Sequence, residues 1–185
     1  GAPQTLHEVT LPAVSASDAD AGAVLTYALT DDAPDGLTFN TDGTYSFDAS
    51  DYDDLAEGET ATVEVSYTAT DEEGETSDAA TLTITITGTN DAPVAIAATN
   101  SVTEGRTVSG SVPAGSDVDG SVISYQLTGE NPAGLSLNSD GSYSFNTGSA
   151  YDYLAQGETV DVVFNYTATD DEGGVSEPQT LTITI

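Results

Sequence analysis

The stretch TVEVSYTATDEEG, Thr62 to Gly74, decides the fold. Val63, Val65, Tyr67 and Ala69 alternate with Thr62, Glu64, Ser66 and Thr68. A period of two is that of a half-buried strand, with one face toward a core and the other in water. Ninety-nine residues on, DVVFNYTATDDEG from Asp161 to Gly173 repeats the pattern through Val162, Phe164, Tyr166 and Ala168.

The same displacement relates other positions. TLTITI at Thr81–Ile86 returns as the last six residues, and Asp18 matches Asp117, Asp20 matches Asp119, Leu55 matches Leu154 and Glu59 matches Glu158. Tyr27 and Tyr125, and Phe47 and Phe145, match with a shift of 98, which puts single-residue changes in loops. The chain is two copies of one domain. We place the first copy at 1–89, a linker at 90–93 within TITGTNDAPVA (Thr85–Ala95), and the second copy at 94–185.

Further strands are expected around Tyr27 and Leu29, Leu37 and Phe39, and Tyr45 and Phe47, separated by Gly, Asp, Asn and Pro clusters. The threonines between Leu82, Ile84 and Ile86 suit a solvated pleated face. DYDDLAEGE, Asp51–Glu59, has room for one helical turn, and no long helix is expected. Six or seven strands in about 95 residues make a β-sandwich, so the fold class is all-β, two tandem sandwiches.

With 185 residues and 37% hydrophobic content, the chain can bury real cores. Its 32 Asp and Glu face a single basic residue, Arg106, for a net charge of -31. That balance excludes nucleic acid and anionic membranes as partners, because both are held by Lys and Arg, and it favours cations. Cysteine is absent, so no disulfide framework holds the fold. No apolar run approaches the roughly 20 residues of a membrane span, and no signal peptide is recognisable; membrane insertion is not expected, and the chain reads as a monomeric piece of something longer.

VSASDADAGAVLTYALT, GSDVDGSVISYQLT and YTATDEEGETSDAATLTITITGTNDAPV together resemble cadherin-type repeats. They are more closely similar to the bacterial cadherin-like (VCBS-type) repeats of large secreted repeat-in-toxin-type (RTX) surface adhesins. The resemblance covers both copies nearly end to end and implies Greek-key, Ig-like sandwiches of about seven strands each. It also implies Ca²⁺ between successive domains, held by an Asp-x-Asp after the first strand, an Ala-x-Asp late in the fold and an Asn-Asp in the linker. By motif these fall on Asp117 and Asp119, Asp170, and Asn90 and Asp91. An equivalent upper site in the first copy falls on Asp18, Asp20 and Asp71.

The chemistry of the residues agrees. Ca²⁺ takes six to eight oxygen ligands, and carboxylates gathered at one loop end repel one another until a cation arrives. Pro93 restricts the backbone just after the linker ligands, lowering the entropy lost when the joint stiffens. Departures from the cadherin pattern limit the number of ions. Gly88 stands where such linkers begin with Asp and the linker is about one residue shorter, which points to one or two ions per junction. Glu104 fits the early-strand glutamate in the second copy, whereas Glu8 lies too close to Asp18. Glu59 and Glu158 stand roughly where cadherins place a further acidic ligand. The bland alternative for each acid is an Asx-turn or a solvated surface. His7 has no partner at ligand spacing and reads as a surface residue.

Three functions follow. The leading one is a pair of calcium-rigidified extender repeats of a bacterial cell-surface adhesin, extracellular, with neighbouring repeats of the same chain as partners and a role in cell adhesion and biofilm formation. The second is a lectin-like module for exopolysaccharide or a cell-surface glycan, with Tyr52, Tyr151 or Tyr153 as sugar-stacking rings. The third, a hydrolase with paired carboxylates, needs one acid held protonated beside a cleft that nothing in the sequence marks. The chain is not expected to be an enzyme.

Overall fold

The computed structural model describes residues 13–18 and 23–185. The chain divides into two compact units, Gly1–Thr89 and Asn90–Ile185, so residues 90–93 group with the second copy. His7, Glu8 and Asp20 lie outside the described residues.

The described part of the first unit holds five strands and one turn of 3₁₀ helix: β1 (Thr26–Leu29), β2 (Leu37–Phe39), β3 (Tyr45–Phe47), the turn Ser50–Tyr52, β4 (Thr60–Thr70) and β5 (Ala80–Thr87). One sheet runs β1-β4-β5 and the other β2-β3. The opening stretch is β4, and it pairs with β5 so that Val63 faces Ile84 and Val65 faces Leu82. Leu37, Tyr45 and Phe47 of one sheet meet Leu82, Ile84 and Ile86 of the other in the core. The expected helical turn in Asp51–Glu59 amounts to that one turn of 3₁₀ helix, which starts at Ser50.

The second unit has seven strands: β6 (Ala98–Ser101), β7 (Thr107–Ser111), β8 (Val122–Thr128), β9 (Leu135–Leu137), β10 (Ser142–Asn146), β11 (Asp161–Asp170) and β12 (Gln179–Thr184). They form the sheets β6-β12-β11-β8 and β7-β10-β9. Only the β6–β12 pairing is parallel. The chain crosses between sheets at β6–β7, β7–β8, β8–β9 and β10–β11, the Greek-key course of an Ig-like sandwich. Phe145 and Phe164 meet edge-on at 5.3 Å in the middle of the core, beside Tyr166, Leu181 and Ile183.

Buried and half-buried tyrosines tie loops to these cores through their hydroxyls, the usual way of satisfying a buried O–H. Tyr125 Oη accepts the Gly115 N–H at 2.7 Å and Tyr27 Oη accepts the Ala16 N–H at 3.0 Å, so in both units a tyrosine pins the approach to the Asp-x-Asp loop. The Tyr166 hydroxyl donates to the Ile96 carbonyl, fixing the segment that follows Pro93.

Candidate metal centre

Asp170 shares the parity of Phe164, Tyr166 and Ala168, so β11 carries it inward and ends on a carboxylate with no exposed surface. The ladder register shifts between Thr169 and Asp170, which sets Asp170 opposite Val122 of β8. A charge that deep needs donors. Its Oδ1 accepts the Gly174 N–H at 2.8 Å and the Glu172 N–H at 3.0 Å. Its Oδ2 accepts the Asn90 side-chain amide at 3.3 Å.

The segment that brings Asn90 is clipped in place by backbone pairing of Val94 with Ser116, at 2.7 and 3.1 Å. Ser116 directly precedes Asp117, so the linker and the Asp-x-Asp loop are held side by side. Asp119 Oδ2 accepts the Asp91 N–H at 2.9 Å, and Asp117 Oδ1 accepts the Val118 N–H at 3.0 Å. The sequence reading did not single out Asp171, whose Oδ1 accepts the Ser121 N–H at 2.8 Å and the Ser121 hydroxyl at 3.2 Å, tying the Asp-x-Asp loop to the turn after Asp170. The only signal for it was the extra acid in Asp170-Asp171-Glu172.

The remaining oxygens have no such partners. Asn90 Oδ1, Asp117 Oδ2 and Asp119 Oδ1 are buried with no hydrogen-bond partner among the described residues. Burial, then the charges of Asp119 and Asp170, push the Asp117 carboxyl above the usual aspartate value. Burial also raises Glu172, with Asp171, Asp119, Asp170 and Asp117 adding to it. The N–H of Ser121 holds Asp171 below the usual value. This is a loop end crowded with negative charge and acceptors, the donor set of a hard, oxygen-loving cation. Among the described residues no group of three or more acidic, His or Cys side chains is arranged to hold a metal ion as the side chains stand.

Among its described residues, the first unit carries the same turn after β4. Asp71 follows β4, and its Oδ1 accepts the Glu75 N–H at 2.7 Å. The Ser77 hydroxyl accepts the Ala69 N–H, as Ser176 accepts that of Ala168. Asp71 is half-buried, Asp18 is exposed, and Asp20 lies outside the described residues. Glu59 sits elsewhere in this unit, in the Leu55–Glu59 turn, where its Oε2 accepts the Ala56 N–H at 3.3 Å; Glu158 does the same for Ala155 at 2.9 Å. These glutamates close their own turns. The structure also explains Gly88. A Cβ there would overlap the carbonyl oxygens of Leu55 and Ala56, so this turn, packed on the end of β5, excludes the aspartate with which cadherin linkers begin.

Of the aromatic residues considered for sugar stacking, Tyr52 and Tyr151 pack on Phe47 and Phe145, while Tyr153 is 69% exposed. Among the described residues no helix is long and apolar enough to cross a membrane.

Comparison with known proteins fits this architecture. The bacterial Ig domain profile matches residues 3–86. No curated protein matches the chain. The crystal structure of human Protocadherin-24 EC1-2, Form II, is similar at 18% identity and a TM-score of 0.55, covering 93% of this chain and 85% of that one. That of mouse Protocadherin-24 EC1-3 is similar at 16% identity and a TM-score of 0.51, covering 97% of this chain; this chain spans 64% of its length. At these identities the likeness is one of fold. The bacterial cadherin-like domain profile matches residues 90–185, the whole second unit and more than half of the sequence, and the chain belongs to that family.

Proposed function

We propose that the chain is a pair of extender repeats from a bacterial surface adhesin, stiffened by calcium at the head of the second repeat. Cadherin-like and Ig-like domains suggest an adhesion or extender module and are typically non-enzymatic. The observation that carries the calcium reading is the trio of buried, unpartnered oxygens on Asn90, Asp117 and Asp119. An unsatisfied buried acceptor costs roughly 1–3 kcal/mol, and a chain with one basic residue against 32 acids has almost no cation of its own to place there. A divalent ion would give these oxygens a partner and offset part of the charge of the carboxylates around it.

Asn90, Asp91, Asp117, Asp119 and Asp170 would hold the ion. It supplies positive charge and oxygen coordination, and no reaction. The chain's own part is to bring two loops and the linker to one place through the Val94–Ser116 pairing and the Asn90–Asp170 hydrogen bond. With linker and domain sharing one ion, the joint loses freedom, which suits a repeat that holds a distal domain away from a cell. Asp18, Asp20 and Asp71 would form a second, weaker site; Glu59, at the opposite end of β4 from Asp71 and committed to its own turn, would not reach that site. An extracellular location, RTX-type or VCBS-type context, biofilm formation and partnership with neighbouring repeats belong to this reading.

Calorimetric titration of the metal-stripped protein with calcium tests it, together with small-angle scattering. Binding with a stiffer, more uniformly extended particle is expected. Bound calcium with unchanged flexibility would instead mean that the sites stabilise each domain separately. A glycan array is expected to stay silent, and specific binding there would favour the lectin-like reading.

A further inference from the structure

Among the differences between the two copies of this turn, Glu72 against Asp171, Glu75 against Gly174 and Thr76 against Val175, the second touches the aspartate most directly. Gly174 lies four residues past Asp170, as Glu75 lies four past Asp71, and each donates its N–H to that aspartate's Oδ1. The left-handed residue of the turn is the one before, Gly173 at φ 94° or Gly74 at φ 90°, so the glycine at 174 is not required by its backbone. It is required by space. A Cβ on Gly174 would overlap Asp170 Oδ2 and stand 2.6 Å from Asn90 Nδ2, the two atoms of the Asn90–Asp170 hydrogen bond. Asp170 has little room to yield, being fully buried and held through its other oxygen by two N–H groups. At Gly120 a Cβ would stand 2.9 Å from Asp171 Oδ1, 3.0 Å from Glu172 Oε2 and 3.1 Å from Asp117 Oδ2, but Asp171 and Glu172 are exposed and able to shift, so the constraint there is weaker. In the first copy, Asp20 is followed by Ala21.

We infer that Gly174 is a positioning residue that determines which repeat accepts an Asn-Asp linker: it leaves room for the asparagine amide on the buried aspartate. The first repeat, with Glu75 at that place, does not take a linker asparagine onto Asp71 in this way. The two acidic heads are then different receptors, one latched by an amide and one not, although their Asp-x-Asp and Ala-x-Asp motifs are the same. The consequence for calcium rests on the reading given under Proposed function; the latch itself does not.

The test uses the full chain and two readouts. In chelator, the Asn90 side-chain amide signals, assigned by their loss in Asn90→Gly, are expected to be well separated and slow to exchange with water. In Gly174→Ala and Gly174→Glu they are expected to collapse to the positions of a free amide while the other signals stay dispersed. Unchanged Asn90 signals in both variants would overturn the inference. In the calcium titration, Gly174→Glu is expected to weaken the tightest site about tenfold or more, the usual effect of disturbing a ligand's support. In an Asn90→Gly background, Gly174→Ala is expected to add less than about twofold, because coupled sites do not add. A full, additive penalty there would also overturn it. If the wild type binds no calcium, the metal reading fails, and the amide signals alone support or overturn the role of Gly174.

Discussion

The turn after β4 and the turn after β11 are the same device in different surroundings. Both close on an aspartate Oδ1 through a backbone N–H four residues ahead, and both are braced by a serine hydroxyl two strand positions away. Asp71 is nevertheless half-buried, while Asp170 has no exposed surface. Among the described residues, what differs is the asparagine that reaches Asp170 and the glycine beside it. A motif read along one strand thus places a carboxylate, but a second segment of chain sets how deeply it is buried and what charge gathers there.

The largest effect that would break this comparison comes from the two aspartates themselves. In calcium, Asp170→Ala is expected to destabilise the second repeat by about 3–5 kcal/mol, since it strips three donors of a buried acceptor and removes a ligand. Asp71→Ala is expected to cost the first repeat about 1 kcal/mol, the usual worth of one hydrogen bond. Urea titration followed by amide NMR reads the repeats separately, and equal losses would mean that burial does not distinguish the two turns.

Chelation comes next. At about 100 times the dissociation constant, calcium adds roughly 2.7 kcal/mol per independent site, and the gain is expected mainly in the second repeat. Asp119→Ala is expected to abolish it, whereas Glu64→Ala, on the solvated face of β4, removes the same charge and is expected to leave it. Equal effects in a calorimetric titration would point to diffuse counterion attraction.

A smaller effect depends on pH. Asp117 and Glu172 are raised on folding, chiefly by burial and then by neighbouring carboxylates. A raised pKa contributes stability that is present below the unfolded value and lost as pH rises through the folded one. Without metal, the second repeat is therefore expected to gain stability as pH falls through the raised folded values toward the unfolded ones, about 4, and bound calcium, which keeps the carboxylates ionised, is expected to suppress that gain. Thermal unfolding monitored by NMR checks this. The same gain in both repeats would assign it to the overall charge of -31 and not to this site.

The smallest effect is one the two repeats should share. Asp42 Oδ1 accepts the Thr44 hydroxyl at 2.6 Å and its N–H at 2.9 Å, and Asp140 does the same for Ser142. Those bonds, the hydroxyl's first, hold both carboxyls below the usual aspartate value. Their contribution is present above the unfolded pKa and lost as pH falls through the lowered folded one. Asp42→Ala and Asp140→Ala are expected to lower the melting temperature slightly and equally, as calorimetry would record. An unequal result would show that the copies differ outside their acidic heads.

Much of this molecule was determined by sequence alone. Period-two alternation and recurrence at 98 or 99 residues set the strands, the repeat and the all-β class, because pleat geometry and one-sided burial act locally along each strand. The same alternation put Asp170 on the parity of Phe164 and Tyr166, and so on the inner face of β11. The tertiary structure decided the rest. Which oxygens are left without partners depends on the Val94–Ser116 pairing and on Asn90 crossing to Asp170, contacts between residues 22 and 80 positions apart. The turn that makes Gly88 obligatory meets β5 only in the folded unit. The glycine at 174 is silent in a motif, because its role is to leave a space whose size is set by side chains arriving from elsewhere.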